Sequence, residues 1–197
     1  MMMMNKSIFF KPISYPGLTF TAPQIGPYFP KTKYYVEPFS GLARTAKYSR
    51  SEVMILNDKS KFSNNYCKKK FRNAVITNED FEVSIKRWDS KDTFFLIDPP
   101  WRVEFYNGKG MLHRNKSATN PAFIDRSIPE YLNKLKQILP LIKGHYILTL
   151  GNTLKFAGPF FKKIQSLKKE IFQFHAKTNL YSNKPLEIQI PQIIDYV

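Results

Sequence analysis

From residue 33 onward the chain alternates short apolar runs with more polar segments of helical length. The runs are "KYYVEPF" (33–39), "EVMILND" (52–58), "NAVITNEDF" (73–81), "TFFLIDPP" (93–100) and "GHYILTL" (144–150). β-branched and aromatic residues fill them and Asn, Asp, Gly and Pro bound them, which predicts strands. Strands alternating with potential helices predict an α/β fold: a mostly parallel sheet flanked by helices. The clearest helix is "SIPEYLNKLKQILPLIK" (127–143). Ser127 stands at its N-cap position, Pro129 and Glu130 in the first turn, and Tyr131, Leu132, Leu135, Ile138 and Leu139 recur at helical spacing. Two further β-prone runs, 169–179 and 184–193, flank "LYSN" (180–183) and predict an antiparallel C-terminal hairpin on the sheet edge. Residues 1–32 carry Pro, Gly and aromatics without a period and are expected to lie on the domain as an extended arm.

Length and composition add a class of partner. The 197 residues, 43% hydrophobic, fit one domain spanning 1–197 with its own core. Thirty-one basic residues against 15 acidic ones give a net charge of +16, which favours a polyanion such as nucleic acid. Two stretches break the strand rhythm: "KSKFSNNYCKKKFR" (59–72), with six basic residues and no acid, and the long polar connection 102–126. Lys68, Lys69 and Lys70 in the first, and Arg102, Arg114 and Lys116 in the second, are the expected phosphate contacts, although a run of lysines can equally be a solvated face. The single cysteine, Cys67, excludes an internal disulfide and a Cys-based zinc site and suits a reducing interior. No segment has the length of a secretory signal or a membrane span, so a soluble cytoplasmic protein with no membrane partner is expected. Arg114, His113 and Lys116 are expected nearest the bound polyanion, His113 as a surface residue rather than a catalytic one, and neither His145 nor His175 stands in a recognisable site.

The candidate chemistry lies where strands end. In open α/β sheets ligands bind outside the carboxyl ends of the strands, and here four runs deliver Glu37, Asp58, Asp80 (just past its strand) and Asp98 to such ends. "YVEPFSG" (35–41) predicts a tight turn out of a strand, with Gly41 allowing close backbone approach and Glu37 at the mouth. Leu42 and Ala43 follow Gly41, so the G-x-G-x-x-G spacing of a pyrophosphate site is missing. Asp58 in "ILND" stands where a ribose diol could be held, or equally where a helix N-cap belongs. Asp98 precedes Pro99 and Pro100, which lack N–H groups and hold the backbone rigid. A carboxylate oxygen beside the Pro99 carbonyl makes two acceptors, matching an exocyclic amino group with two hydrogens. Trp101 adds a flat face on which a base can stack. A plain Pro-Pro turn with a core tryptophan is the alternative.

Together, "DPPW" (98–101), "YVEPFSG" (35–41), "ILND" (55–58) and "ITNEDF" (76–81) resemble the Dam-like class of S-adenosylmethionine-dependent N6-adenine DNA methyltransferases. The order agrees as well: that class places its cofactor motif before the D-P-P-aromatic motif, whereas the mRNA adenosine methyltransferases carrying D-P-P-W reverse it. The resemblance runs from "YPG" (15–17) to "PLEIQI" (185–190) and is strongest over 34–101. It implies a Rossmann-like methyltransferase fold, S-adenosylmethionine as cofactor, no metal, and adenine-specific methylation of DNA. By position it implies that Tyr15, Gly17, Glu37, Phe39, Gly41, Asp58, Asp80 and Phe81 hold the cofactor. Glu37, Phe39 and Gly41 would line its methionine end, Asp58 its ribose, and Asp80 and Phe81 its adenine. It implies that Asp98 and the carbonyl of Pro99, stiffened by Pro100, accept from the target amino group while Trp101 stacks on the flipped base.

The sequence departs from that class at three places. Leu18 and Thr19 stand where the class usually shows Gly-Lys, and Leu42-Ala43 replaces a second glycine. Only 17 residues separate Asp80 from Asp98, where bacterial members insert a helical target-recognition domain. Specificity is therefore expected from 102–126, from a protein partner, or hardly at all. RNA is the alternative substrate, and a catalytically degenerate nucleic-acid-binding protein on the same fold is the alternative from another class.

Overall fold

The computed structural model describes residues 22–99, 128–151, 169–173 and 176–188. Seven strands form one sheet: β1 (Tyr34–Glu37), β2 (Val53–Asn57), β3 (Val75–Thr77), β4 (Thr93–Ile97), β5 (His145–Gly151), β6 (Lys169–Gln173) and β7 (Ala176–Ser182). Their order is β3-β2-β1-β4-β5-β7-β6. The first five in that order are parallel, with Val36 in register with Ile55 on one side and Phe95 on the other. β7 runs antiparallel to both β5 and β6. The chain moves outward from β1 to β3 and then crosses back to place β4 on the other flank of β1, so the order reverses there.

Both faces of the parallel region are covered, which explains why β4 reads as an uninterrupted apolar run: all five of its residues are buried. Alternate residues feed two cores. Val36, Ile55, Phe95, Ile97 and Leu148 meet Phe81 and Ile85 of α3 (Phe81–Trp88) and Leu135 and Ile138 of the last helix, Ile128–Ile138. Phe81 and Ile85 are spaced i, i+4 and so share one helix face; their burial stabilises the fold by about 1.5–3 kcal/mol each. On the opposite face Tyr35, Leu56, Phe94, Leu96 and Ile147 meet Ile25 of α1 (Ala22–Ile25), Tyr28 and Phe29 just after it, and Cys67 of α2 (Lys61–Lys70). Both crossover helices are capped. Ser60 Oγ accepts from the Ser63 N–H at the start of α2, and Asp80 Oδ1 accepts from the Glu82 N–H at the start of α3.

Three expectations need correction. Residues 22–28 of the supposed extended arm form α1 and a 3₁₀ turn, because Ile25 and Phe29 are fully buried against the sheet and that burial overrides the breakers Pro23, Gly26 and Pro27. The stretch 59–72, set apart above as a break in the strand rhythm, keeps that rhythm: most of it is α2, the β2–β3 crossover. The hairpin lies earlier than expected, between β6 and β7, and "LYS" belongs to β7. Leu180 and Tyr181 are buried in opposite cores, Asn183 Oδ1 accepts from the Tyr146 N–H, and Pro185 then ends any strand. Ser127 lies outside the described residues. Among the described residues no helix is long and apolar enough to cross a membrane.

Candidate active site

Because β1, β2, β3 and β4 run parallel, Glu37, Asp58, Asp80 and Asp98 are brought to one edge of the sheet. Their surroundings differ. Glu37 ends β1 and is 3% exposed; the Tyr35 hydroxyl and, at 2.7 Å, the Thr45 hydroxyl both donate to its Oε1. Burial pushes its pKa up to about 8 against the pull of those two hydrogen bonds, and the nearby Asp98 and Asp58 charges add to the rise. The carboxyl is thus largely protonated at neutral pH. Burial, followed by the Glu37 charge, also holds the Tyr35 phenol well above its ordinary range.

Asp58 is half-buried and fastens two loops together. Its Oδ2 accepts from the Gly41 N–H at 2.8 Å and its Oδ1 from the Ser60 N–H at 2.7 Å. Gly41 (φ 51°) and Ala43 (φ 47°) take left-handed conformations, which curl the loop after β1 towards Asp58. Since Ser60 is the N-cap of α2, Asp58 stands two residues ahead of the cap. Burial raises its pKa, and the two backbone N–H groups temper the rise.

Asp80 is the N-cap of α3 and pairs with Lys59 at 2.8 Å. Burial works to raise its pKa, but the Lys59 and Glu82 N–H hydrogen bonds outweigh it and hold the carboxyl below the usual range. Phe81 is buried and stacked on Phe39, centroids 4.9 Å apart, with Tyr131 edge-on to both. The two rings touch, so no third ring fits between them.

Asp98 follows β4 and is half-buried. The Thr149 hydroxyl of β5 donates to its Oδ1, which fixes the carboxylate beside the place where the strand order reverses. Pro99 is buried. Tyr15, Gly17, Pro100, Trp101, Arg102, Arg114 and Lys116 lie outside the described residues. Lys68, Lys69 and Lys70 do not join the acids. α2 begins beside Asp58 and runs back along the sheet before β3, so its last turn lies at the opposite, amino edge.

Several residues at this edge escaped the sequence reading. Asn57, 1% exposed, makes four hydrogen bonds. Its Nδ2 donates to the carbonyls of Pro38 (3.0 Å) and Glu79 (3.1 Å), and its Oδ1 accepts from Thr77 Oγ1 (2.8 Å) and the Glu79 N–H (2.9 Å). It thereby holds the loops after β1 and β3 against the end of β2. Thr149 interrupts the apolar run "YILTL", a polar break that could have marked it; Thr45 carries no such signal.

No protein-family model and no curated protein sequence matches the chain. Solved structures do. The METTL16 methyltransferase domain superposes with a TM-score of 0.52 at 12% identity, covering 77% of this chain and 73% of that one. TrmK of M. capricolum, solved with S-adenosyl-homocysteine, gives 0.51 at 11% identity over 84% and 67%. A human methyltransferase 10 domain containing protein gives 0.51 at 10% over 77% and 71%. The chain has the Rossmann-like methyltransferase fold. Within that fold the carboxyl edge described above, between β1 and β4, is the place where a ligand is expected.

Proposed function

We propose that this protein is an S-adenosylmethionine-dependent methyltransferase acting on the exocyclic N6 amino group of adenine in DNA. The observation that carries the reading is Asp98. It is a half-buried carboxylate at the end of β4, fixed by Thr149, followed by a buried proline, and set at the same edge as Asp58 and Glu37.

The residues present fit the cofactor at its ribose. Each Asp58 oxygen holds one backbone N–H, and a carboxylate oxygen accepts two bonds, so Asp58 can also accept from a vicinal diol. Glu37, largely neutral at neutral pH, adds no bare charge to this edge. Phe39 and Tyr131 flank the same region, while Phe81 is too buried to offer more than an edge. Bound there, the cofactor would supply an electrophilic methyl group on a cationic sulfur, which leaves as a neutral thioether.

The chain's own contribution is positioning. Asp98 and the Pro99 carbonyl accept the two hydrogens of the amino group and aim the nitrogen lone pair along one line. Fixed acceptors of this kind need not reorganise during the reaction, and that is where most of the rate would come from. A paired adenine cannot present its nitrogen in this way, so the base must be flipped out or single-stranded. Trp101 is the residue proposed to stack on it. The β3–β4 crossover is α3 alone, so target selection is proposed to reside in 102–126 or in a protein partner.

Incubating the protein with labelled S-adenosylmethionine and adenine-containing single-stranded DNA, duplex DNA or RNA tests the reading. Label in N6-methyladenine of DNA is the expected result. Preferential labelling of RNA would move the substrate assignment while keeping the chemistry, and no label on any substrate would overturn the proposal.

A further inference from the structure

The amino edge of the sheet, opposite Asp98, carries a row of cations spread over three adjacent strands. Lys31 and Lys33 precede β1, Arg50 precedes β2, and Lys68, Lys69, Lys70 and Arg72 precede β3. Residues 31–33, 49–52 and 68–74 hold these seven basic residues and one acid, Glu52, and on the β4 side Asp92 lies beside Lys33, its carbonyl accepting from the Lys33 N–H at 3.1 Å. Lys31, Lys33, Lys68, Lys69, Lys70 and Arg72 are all exposed, and none forms an ion pair with a described acid. Aromatic rings hold two of them in place: Lys33 Nζ lies 5.3 Å from the Tyr34 ring centre, and Lys70 Nζ lies 5.6 and 5.4 Å from those of Tyr66 and Phe71.

The α2 dipole favours cations in the last turn and so accounts for part of the Lys68–Lys70 cluster. It does not account for Lys31, Lys33 and Arg72, which belong to loops. Like charges crowded on one edge repel each other, and a polyanion laid along them would relieve that repulsion.

We infer that the α2 side of this edge is a phosphate-binding exosite, which grips the nucleic-acid backbone at a distance from the base held at Asp98. The inference rests on the reading that the substrate is a nucleic acid, and it adds where the strand runs: over the α2 side of the domain from one sheet edge to the other. Ten helical residues span about 15 Å. At about 3.4 Å per nucleotide a strand must therefore be on the order of five nucleotides long to reach both edges.

Fluorescence anisotropy of labelled DNA and RNA oligonucleotides of increasing length, without cofactor, tests this. The wild type is compared with Lys68→Gln/Lys69→Gln/Lys70→Gln and with a charge-matched control at the same edge but on the other face of the sheet, away from α2, Lys86→Gln/Lys136→Gln/Lys143→Gln, after thermal melts show that all are folded. The first variant is expected to bind a 20-mer at least tenfold more weakly. Its plot of log affinity against log salt should be shallower by about 2, three contacts at about 0.7 each for a single strand. The control should keep the wild-type slope. Equal slopes for the wild type and the first variant, or equal losses in both variants, would overturn the exosite. Binding is read without methyl transfer, so an inactive protein that shows the slope change retains the exosite. An active protein without the change loses only the exosite.

Discussion

Glu37→Gln should make the protein more stable, and by an amount that depends on pH. The folded pKa of Glu37 is raised to about 8 from an ordinary 4.5, so its carboxyl contributes fully only below about 4.5 and stability is lost as pH rises towards about 8. One proton sets the slope at about 1.4 kcal/mol per pH unit. Across the whole interval the loss is about 5 kcal/mol, and at pH 7 about 3 kcal/mol, with relaxation of the site able to halve either figure. Glutamine is nearly isosteric, and its carbonyl can accept from the Tyr35 and Thr45 hydroxyls as Oε1 does, but it never ionises. Urea denaturation of both proteins from pH 5 to pH 9 measures the difference directly. The two should be within about 1 kcal/mol at pH 5, diverge in favour of the variant at higher pH, and run parallel above pH 8. A difference that does not change with pH, or a wild type that gains on the variant as pH rises, would refute the buried, protonated Glu37.

Asn57→Leu removes four hydrogen bonds and takes the partner from a buried carbonyl of Pro38 and from half-buried groups of Thr77 and Glu79, a cost of about 3 kcal/mol in urea denaturation; a loss under about 1 kcal/mol would contradict the role given to Asn57. Gly144→Ala would set a Cβ 2.6 Å from the Thr93 carbonyl oxygen and 2.9 Å from that of Ser90, so a destabilisation of about 1–3 kcal/mol is expected, and an unchanged melting temperature would argue against this close approach. Burial, with help from the Glu37 charge, pushes the Cys67 thiol up to about 12, so a thiol reagent at pH 8 should label the denatured protein and leave the native one untouched; fast native labelling would show that the α2 face opens.

The parallel sheet could be read from the sequence because burial on both faces turns its strands into long apolar runs, β4 above all, and because an acid closes four of them. α2 could not: "KFSNNYCKKK" buries Ser63, Asn64 and Cys67 rather than large apolar residues, so its period is faint. α1 was hidden by Pro23, Gly26 and Pro27, since only tertiary burial of Ile25 and Phe29 makes those residues helical. The hairpin was misplaced because Ser182 and Asn183 look like turn residues, while their actual partners, His145, Tyr146 and Gly144, lie on β5 and just before it, far away in sequence. The same distance in sequence hid Asn57, whose partners are 19–22 residues away. Asp58 was open between a ribose ligand and a helix cap. The fold gives the cap to Ser60 and leaves Asp58 acceptor capacity.

Single-turnover methyl transfer by Asp98→Ala, set beside cofactor binding by calorimetry on the same preparation, tests the central claim most directly. The account predicts that the variant binds S-adenosylmethionine about as tightly as the wild type, while formation of N6-methyladenine falls by about a hundredfold or more, as when a positioned hydrogen-bonding group is lost. Transfer at the wild-type rate by Asp98→Ala would contradict it, because the amino group would then be held by something other than the end of β4.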